Sequence, residues 1–238
     1  MKARRSLLLA ATLLALPASA AEPATPPNTL TEAERQAGWR LLFDGRSFAG
    51  WRGYRRPDMP AQGWRVRDGL IEKVGGERGG DIITAETFGD FEFSWEWRLE
   101  RAGNNGVKYF VTEDRPSSPG HEYQLLDDHA HPDARAGAHR LTAAFYDVLP
   151  AAADKPLKPV GEWNHSRLVV RGREVEHWLN GALVLRYELG GDAVKAGLAQ
   201  SKFKDQPGFG EKIRGHLMLT DHTDPCWFRN LKLRPLDP

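Results

Sequence analysis

The chain has 238 residues, of which 40% are hydrophobic and 27% are charged, and its formal net charge is +1. This near balance of charge excludes a general nucleic-acid binder of the basic-stripe kind, because such proteins need many cationic contacts to phosphate. The length suits one all-β domain. Cys226 is the only cysteine, so no internal disulfide can form. Its neighbours Pro225 and Trp227 favour a buried small residue over a reactive thiol.

Residues 1–20 are predicted to be a secretory signal peptide. Lys2, Arg4 and Arg5 form a basic start, residues 6–16 are apolar but too short to span a bilayer, and residues 18–20 offer a small-residue cleavage site. An uncleaved anchor is the alternative. Removing the three basic residues leaves 30 basic against 32 acidic residues, a net charge of −2. We therefore expect a secreted or periplasmic protein without membrane or nucleic-acid partners.

The segment after the signal peptide is predicted to be a flexible leader that ends in a short helix, over residues 21–36. Residues 21–30 are rich in proline, alanine and threonine. Thr31 followed by Glu34 matches a capping box, which predicts a helix over residues 32–37. The main domain is then expected over residues 37–236.

Strand patterns dominate the rest of the chain. The clearest is residues 91–99, where apolar and polar residues alternate strictly. Asp68-Gly69 and Asn180-Gly181 are strong signals for two-residue hairpin turns. Only a turn near residues 192–196 interrupts the β pattern. The predicted strands cover residues 39–43, 64–66, 70–74, 81–84, 91–99, 107–112, 122–126, 141–146, 166–170, 174–179, 183–189, 217–220 and 227–233.

About a dozen short strands separated by turns predict an all-β sandwich of two antiparallel sheets. An up-and-down barrel is the alternative, because strand closure is not visible in a sequence. Polar and aromatic residues recur on most of these strands, which points to a polar ligand of the size of a sugar.

Six segments, taken in chain order, resemble the 3-keto-disaccharide hydrolase domain family. They are residues 38–51, 103–110, 122–127, 161–181, 201–204 and 221–230, and the resemblance runs from about residue 37 to residue 236. The resemblance implies a concanavalin A-like jelly-roll sandwich. It also implies action on glycosides that carry a ketone at carbon 3, by hydrolysis or, as in some members, by elimination.

Such chemistry needs three groups. A ketone at carbon 3 makes the hydrogen on carbon 2 acidic, so that a base can remove it. A cation or hydrogen-bond donor must then stabilise the enolate oxygen, and an acid must protonate the departing oxygen on carbon 1. The paired carboxylates of ordinary glycosidases are not required.

Glu122 and Gln124 are the leading candidates for a base and a positioning amide. They lie two apart on a predicted strand and therefore share a face, about 7 Å from each other. Many concanavalin A-like glucanases place a second acid at such a position, and Gln124 departs from that pattern. A solvated strand face is the alternative interpretation.

Two further strands supply candidates for catalysis. Lys108 could stabilise an enolate oxygen, although an ordinary exposed lysine is the alternative. On the strand over residues 174–179, either His177 or Glu176 with Trp178 must face the cleft, and alternation does not choose between them. Trp178 could stack on a sugar ring. Trp97 could do the same, but its apolar face favours the core.

The remaining candidates are substrate contacts from turns and strand ends: Asn105, Asp127, Asp221 and His222. Residues 127–133 contain the densest cluster of acidic and histidine side chains, so a divalent metal ion stays open as a cofactor. No other cofactor is expected. The predicted partner is a small carbohydrate, and the oligomeric state is undetermined. A non-catalytic carbohydrate-binding module on the same fold is the alternative function.

Overall fold

The computed structural model describes residues 25–115 and 120–236. The predicted signal peptide lies outside these residues. Helix α1 spans Glu32–Gln36, and its capping box is present as predicted: Thr31 Oγ1 accepts from the Glu34 amide, and the Glu34 carboxylate accepts from the Thr31 amide. Asn28 exchanges backbone and side-chain hydrogen bonds with Asn230. The leader is therefore not free at this point.

Thirteen strands account for most of the described regular structure. They are β1 Arg40–Leu41, β2 Trp51–Gly53, β3 Trp64–Arg67, β4 Leu70–Lys73, β5 Ile82–Thr84, β6 Phe91–Leu99, β7 Asn104–Val111, β8 His121–Leu126, β9 Asn164–Arg171, β10 Glu174–Leu179, β11 Ala182–Glu188, β12 His216–Leu219 and β13 Cys226–Pro235. Helix α2 spans Asp192–Gln200, and two 3-10 helices span Pro132–Ala136 and Ala138–Arg140.

The strands form two antiparallel sheets that share no ladder. The large sheet has the order β11-β10-β9-β6-β13-β4-β3, with β1 also paired to β13. The small sheet has the order β2-β5-β12-β7-β8. This arrangement confirms the concanavalin A-like jelly-roll sandwich, and the barrel alternative is wrong.

The core lies between the inner faces of the two sheets. On β6 the predicted alternation holds, since Phe91, Phe93, Trp95, Trp97 and Leu99 are all buried. Trp97 donates its indole N–H to Ser166 Oγ at 2.8 Å, so the core interpretation of Trp97 is confirmed. Cys226 is also fully buried, as expected. Burying each such large apolar side chain contributes on the order of 1.5–3 kcal/mol to folding.

The two predicted hairpin turns are present. Asp68 and Gly69 have φ of 52° and 75°, and Asn180 and Gly181 have φ of 47° and 87°. Two successive positive φ values define the turn type that suits the twist of a tight hairpin. These turns fix the register of β3 with β4 and of β10 with β11.

Three local predictions were wrong. Residues 141–146 do not form a regular strand, because Ala143 has a left-handed φ of 65°, although this segment still hydrogen-bonds along β8. Strand β2 was missed because it has only three residues. Helix α2 was predicted only as a possible turn, because its pattern covers just 9 residues. None of the described helices is long and apolar enough to cross a membrane.

Candidate active site

The candidate site lies on the outer face of the small sheet. Val107, Tyr109 and Tyr123 point into the core, so their strand neighbours point outward. Cross-strand pairing places five outward residues in a single row. The row runs through Arg52, Ile83, Met218, Lys108 and Glu122. Two of the predicted catalytic residues, Lys108 and Glu122, are therefore direct neighbours.

Glu122 lies over the backbone of Gly106. A Cβ atom on Gly106 would fall only 2.0 Å from Glu122 Oε1, so the absence of a side chain at residue 106 creates the space for this carboxylate. Glu122 is 6% exposed, and its Oε1 has no hydrogen-bond partner. Leaving such an acceptor unsatisfied costs about 1–3 kcal/mol. A ligand that donates a hydrogen bond would remove this cost.

Two cationic groups approach different oxygens of Glu122. Lys108 Nζ lies 3.8 Å from Oε2, and His222 Nε2 lies 3.9 Å from Oε1. These separations allow charge attraction but exceed the range of a direct hydrogen bond. The His222 side chain is 41% exposed, so it borders both solvent and the buried carboxylate.

The neighbouring charges shift the pKa values of Glu122 and His222 in opposite directions. Burial alone would raise the pKa of Glu122, but the positive charges of Lys108 and His222 outweigh burial and hold this pKa below its ordinary value. For His222, burial would lower the pKa, but the interaction with Glu122 prevails and raises it. Near neutral pH the carboxylate is therefore ionised, and the imidazole holds its proton more firmly than an ordinary histidine.

Gln124 extends this polar surface along β8. Its Oε1 is buried without a partner, and its Nε2 makes only a long hydrogen bond of 3.4 Å to Asn104 Oδ1. The predicted Asn105 is instead fully buried, where it bonds Thr220 O and the Gly106 amide. The prediction for Asn105 was therefore wrong, and strand alternation from Lys108 would have selected Asn104.

Asp81 is a site residue that the sequence did not reveal. It precedes β5 on the side of Ile83, and its Oδ1 accepts from the Asp221 amide at 2.7 Å. Burial raises the pKa of Asp81, with Lys108 acting in the opposite direction. No motif marked this residue, because its role depends on the pairing of β5 with β12.

Asp221 supports the site without facing a substrate. Its carboxylate accepts from Lys73 Nζ at 3.0 Å and from the amides of Gly79 and Gly80 at 2.8 Å. Its side chain is only 4% exposed. The prediction of a substrate contact was wrong for Asp221, because its hydrogen-bonding capacity is already used. It anchors the turn that carries the neighbouring His222.

His177 is a core residue. It is fully buried, its Nδ1 lies 2.9 Å from Ala143 O, and its Nε2 lies 3.2 Å from Tyr109 Oη. Burial lowers the pKa of His177 to about 4, so it is neutral near pH 7. The prediction of a catalytic role was wrong, because the small sheet separates His177 from Glu122.

Glu176 and Trp178 lie on the outer face of the large sheet, on the other side of the core. Trp178 donates its indole N–H to Glu176 at 2.8 Å, and the Arg167 guanidinium lies 4.1 Å from the centre of the Trp178 ring. Arg186 pairs with Glu176. Their predicted contacts with the substrate at the Glu122 site were therefore wrong.

Asp127 forms a turn at the end of β8. Its Oδ2 accepts from the Ala102 amide at 2.8 Å, and its Oδ1 accepts from the amides of His129 and Ala130 at 3.1 Å. It borders a cleft of about 510 Å³, but Glu122 does not line that cleft. The structure thus places Asp127 away from Glu122, and its contact with a substrate stays a prediction.

Other acidic residues in the segment over residues 127–133 form ion pairs within the fold. Asp128 pairs with Lys155, and Asp133 pairs with Arg140. Within residues 25–115 and 120–236, no three histidine, cysteine, aspartate or glutamate side chains converge as a metal-binding group.

A third cation approaches Glu122 from the outer edge of β8, along which residues 143–146 hydrogen-bond. The Tyr146 amide donates to Glu122 O at 3.0 Å, and Lys202 Nζ lies 3.3 Å from Tyr146 Oη. Attraction between Glu122 and Lys202 contributes to the pKa of both groups. Neither Tyr146 nor Lys202 was among the predicted site residues. Lys202 does lie in one of the six segments that resemble the family, over residues 201–204, and that resemblance could have identified it.

The fold and its polar outer face place the chain among the concanavalin A-like β-sandwich proteins. The family model described as the 3-keto-alpha-glucoside-1,2-lyase-like domain matches residues 38–234, and the chain belongs to this family. A relative from Bacteroides thetaiotaomicron named 3-keto-disaccharide hydrolase is 36% identical over 233 residues, which cover 84% of this chain and 79% of the relative.

Two solved structures from Parabacteroides distasonis are also similar. Both are described as candidate glycosyl hydrolases. The first is 33% identical with a TM-score of 0.80, and the match covers 89% of this chain and 100% of that one. The second is 24% identical with a TM-score of 0.67, covers 83% of this chain and 99% of that one, and supports the fold alone.

Proposed function

We propose that this protein is an exported carbohydrate-active enzyme that cleaves the glycosidic bond of 3-keto-glycosides at the Glu122 site. The family and the relative named 3-keto-disaccharide hydrolase support the substrate class. The basic and apolar start of the sequence supports export.

The order of three charged groups carries the proposal. Lys108, Glu122 and His222 follow one another, with Lys108 and His222 on opposite oxygens of the carboxylate. The reacting positions of a 3-keto-glycoside follow one another in the same way: the carbonyl oxygen on carbon 3, the hydrogen on carbon 2 and the glycosidic oxygen on carbon 1. Each position can thus meet the group that its chemistry requires.

The reaction begins with proton transfer to Glu122. The electron pair of the C2–H bond enters the ketone as an enolate, whose oxygen faces the Lys108 ammonium. When the ketone re-forms, the electrons create a C1=C2 bond and expel the glycosidic oxygen, which takes a proton from His222. The products are an unsaturated 3-keto sugar and the free alcohol.

Hydration completes a net hydrolysis. Neutral His222 takes a proton from water, and the hydroxide adds to carbon 1. The proton on Glu122 exchanges with solvent after the alcohol has left, and Glu122 then protonates carbon 2. Both side chains regain their initial protonation states. If water does not add, the enzyme is a lyase, so the same site serves either outcome.

The opposite pKa shifts support this division of roles. A lowered pKa favours the ionised form of Glu122, which can accept a proton, and a raised pKa favours the protonated form of His222, which can donate one. We therefore expect a bell-shaped pH dependence of kcat/KM. Its acid limb reports Glu122 and its basic limb reports His222.

The decisive experiment incubates the protein with a 3-keto-glycoside in D2O, with and without a chelator, and follows the products by NMR. Elimination followed by hydration introduces deuterium at carbon 2, which direct hydrolysis does not. The free 3-keto sugar, incubated without enzyme, controls for spontaneous exchange. The matched unoxidised glycoside should remain intact. Its efficient cleavage would overturn the mechanism, and binding without turnover would identify a carbohydrate-binding module instead.

A further inference from the structure

Lys202 has an unusual environment for an exposed lysine. Its ammonium lies 4.4 Å from the centre of the Tyr146 ring and 5.1 Å from the centre of the Phe203 ring. Its one side-chain hydrogen bond among the described residues goes to the Tyr146 hydroxyl at 3.3 Å. Aromatic faces attract a cation without neutralising it. Burial lowers the pKa of Lys202, and attraction to Glu122 and Asp147 acts in the opposite direction. With one side-chain hydrogen bond, the ammonium keeps free N–H donors.

A buried network fixes the position of Lys202. Asp147 Oδ2 accepts from the Lys202 amide at 2.8 Å and from Ser201 Oγ at 3.1 Å. Arg140 links Asp147 to Asp133 through bonds of 2.6 and 2.7 Å. The backbone of Lys202 thus rests on an ion-pair network and not on a loose loop.

The same network sets the direction of the Tyr146 hydroxyl. Its proton goes to Asp133 Oδ2 at 2.8 Å, which leaves its oxygen lone pairs to accept from Lys202. Burial raises the pKa of Tyr146 far above its ordinary range, so the phenol stays neutral. Tyr146 therefore orients Lys202 and does not cancel its charge.

Lys202 differs from the other lysines near the site in its pairing. Lys73 pairs with Asp221 at 3.0 Å, and Lys108 shares its charge with Glu122 at 3.8 Å. Within the part of the chain that the structure describes, no carboxylate oxygen lies within 4 Å of Lys202 Nζ. It is thus a cation that interacts with Glu122 and Asp147 at longer range but forms no direct ion pair among the described residues.

We propose that Lys202 is a second catalytic cation that, together with Lys108, stabilises the negative charge on the sugar when Glu122 takes the carbon 2 proton. This inference rests on the proposed function. The proton transfer neutralises Glu122 and moves its negative charge to the enolate oxygen. At that moment Lys108 loses the Glu122 carboxylate as its ion-pair partner, and Lys202 gains the enolate oxygen as a partner. A preorganised cation of this kind acts mainly in the transition state.

The test compares Lys202→Met with Lys204→Met, a matched control on the same exposed segment two residues further along. We expect Lys202→Met to lower kcat for a 3-keto-glycoside by about 10² or more, the scale for losing one donor to a developing oxyanion, with little change in KM. Loss of this positive charge should also raise the pKa of Glu122 and move the acid limb of kcat/KM to higher pH. Lys204→Met should change neither quantity.

Two further variants separate charge from structure. Lys202→Arg keeps the charge and should retain the wild-type acid limb. Tyr146→Phe keeps the ring under the ammonium and removes its acceptor, so kcat should fall by less than in Lys202→Met. Normal kcat in a folded Lys202→Met protein overturns the inference and leaves the proposed function intact. Absence of turnover by the wild-type protein on every 3-keto-glycoside overturns the proposed function itself.

Discussion

The outer faces of the two sheets are both rich in charge, but the charges are paired differently. On the large sheet Glu92 binds Arg167 and Arg234, and Glu96 binds Arg229 and Asn230. On the small sheet Oε1 of Glu122 and Oε1 of Gln124 are buried without a partner. These carboxylates on the large sheet are paired, although Arg234 Nε is buried without a partner. The small sheet instead keeps unpaired acceptors, which a ligand that donates hydrogen bonds can satisfy.

The aromatic residues show the same contrast. On the large sheet the Arg167 guanidinium lies 4.1 Å from the ring centre of Trp178, and Arg229 lies at the same distance from Trp163. A ring face occupied by a guanidinium is not open to a sugar. On the small-sheet side, Tyr146 and Phe203 hold an ammonium that has no carboxylate within 4 Å among the residues described. Unpaired acceptors, more than charge or aromatic content, distinguish the face that carries the proposed site.

The largest expected effect compares one carboxylate from each face. Glu122 and Glu92 are 6% and 5% exposed, so Glu122→Gln and Glu92→Gln remove equally buried charges. We expect Glu122→Gln to lower kcat for a 3-keto-glycoside by at least about 10², the scale for a general base, with the fold intact. Glu92→Gln should leave kcat unchanged and lower the free energy of unfolding by about 1.5–3 kcal/mol, because it weakens two charged hydrogen bonds.

Kinetics and urea unfolding of both variants measure this contrast. If Glu122→Gln retains near-normal rates, the base lies elsewhere, and His222 becomes the first candidate. If Glu92→Gln loses activity without losing stability, the large sheet takes part in catalysis, and the comparison of the two faces fails.

The second effect tests the space that the small sheet reserves for Glu122. In Gly106→Ala the new Cβ would lie 2.0 Å from Glu122 Oε1, so the carboxylate must move by more than about 1 Å. Displacement on this scale costs about 10² in rate, and the crowding costs about 1–3 kcal/mol of stability.

A double-variant cycle shows whether this effect passes through Glu122. Gly106→Ala should lower kcat strongly in the wild-type background and little in the Glu122→Gln background, because residues in contact are not additive. Equal losses in both backgrounds would show that Gly106 acts through the backbone alone.

The fold was largely predictable from the sequence because its signals are local. Strand β6 alternates without exception, and Asp68-Gly69 and Asn180-Gly181 specify turns that only a few residue pairs accept. The failures have physical causes as well. The left-handed φ of Ala143 interrupts a segment with a strand-like pattern. Helix α2 has only 9 residues, of which Val194 is the buried one, so its helical pattern is short.

The site was only partly predictable, because it depends on pairing between distant strands. Alternation placed Lys108, Glu122 and Gln124 on one face of their strands, and the structure brings them together. Alternation alone could not show which face of β10 points into the core. In the structure His177 faces the core, and Glu176 lies on the outer face of the large sheet. Asp81 and Lys202 join the site from segments far away in the sequence.

The smallest expected effect concerns Glu176, which lies on the outer face of the large sheet. Glu176→Gln keeps an acceptor for the Trp178 indole N–H and removes the charge that pairs with Arg186. The Arg186 side chain is 53% exposed, and exposed ion pairs contribute at most about 1 kcal/mol. We therefore expect a stability change below that value and no change in kcat or KM for a 3-keto-glycoside. A rise in KM without loss of stability would show that the substrate reaches the large sheet. The outer face of the large sheet would then be a second carbohydrate surface, and completeness of pairing would not distinguish the two faces.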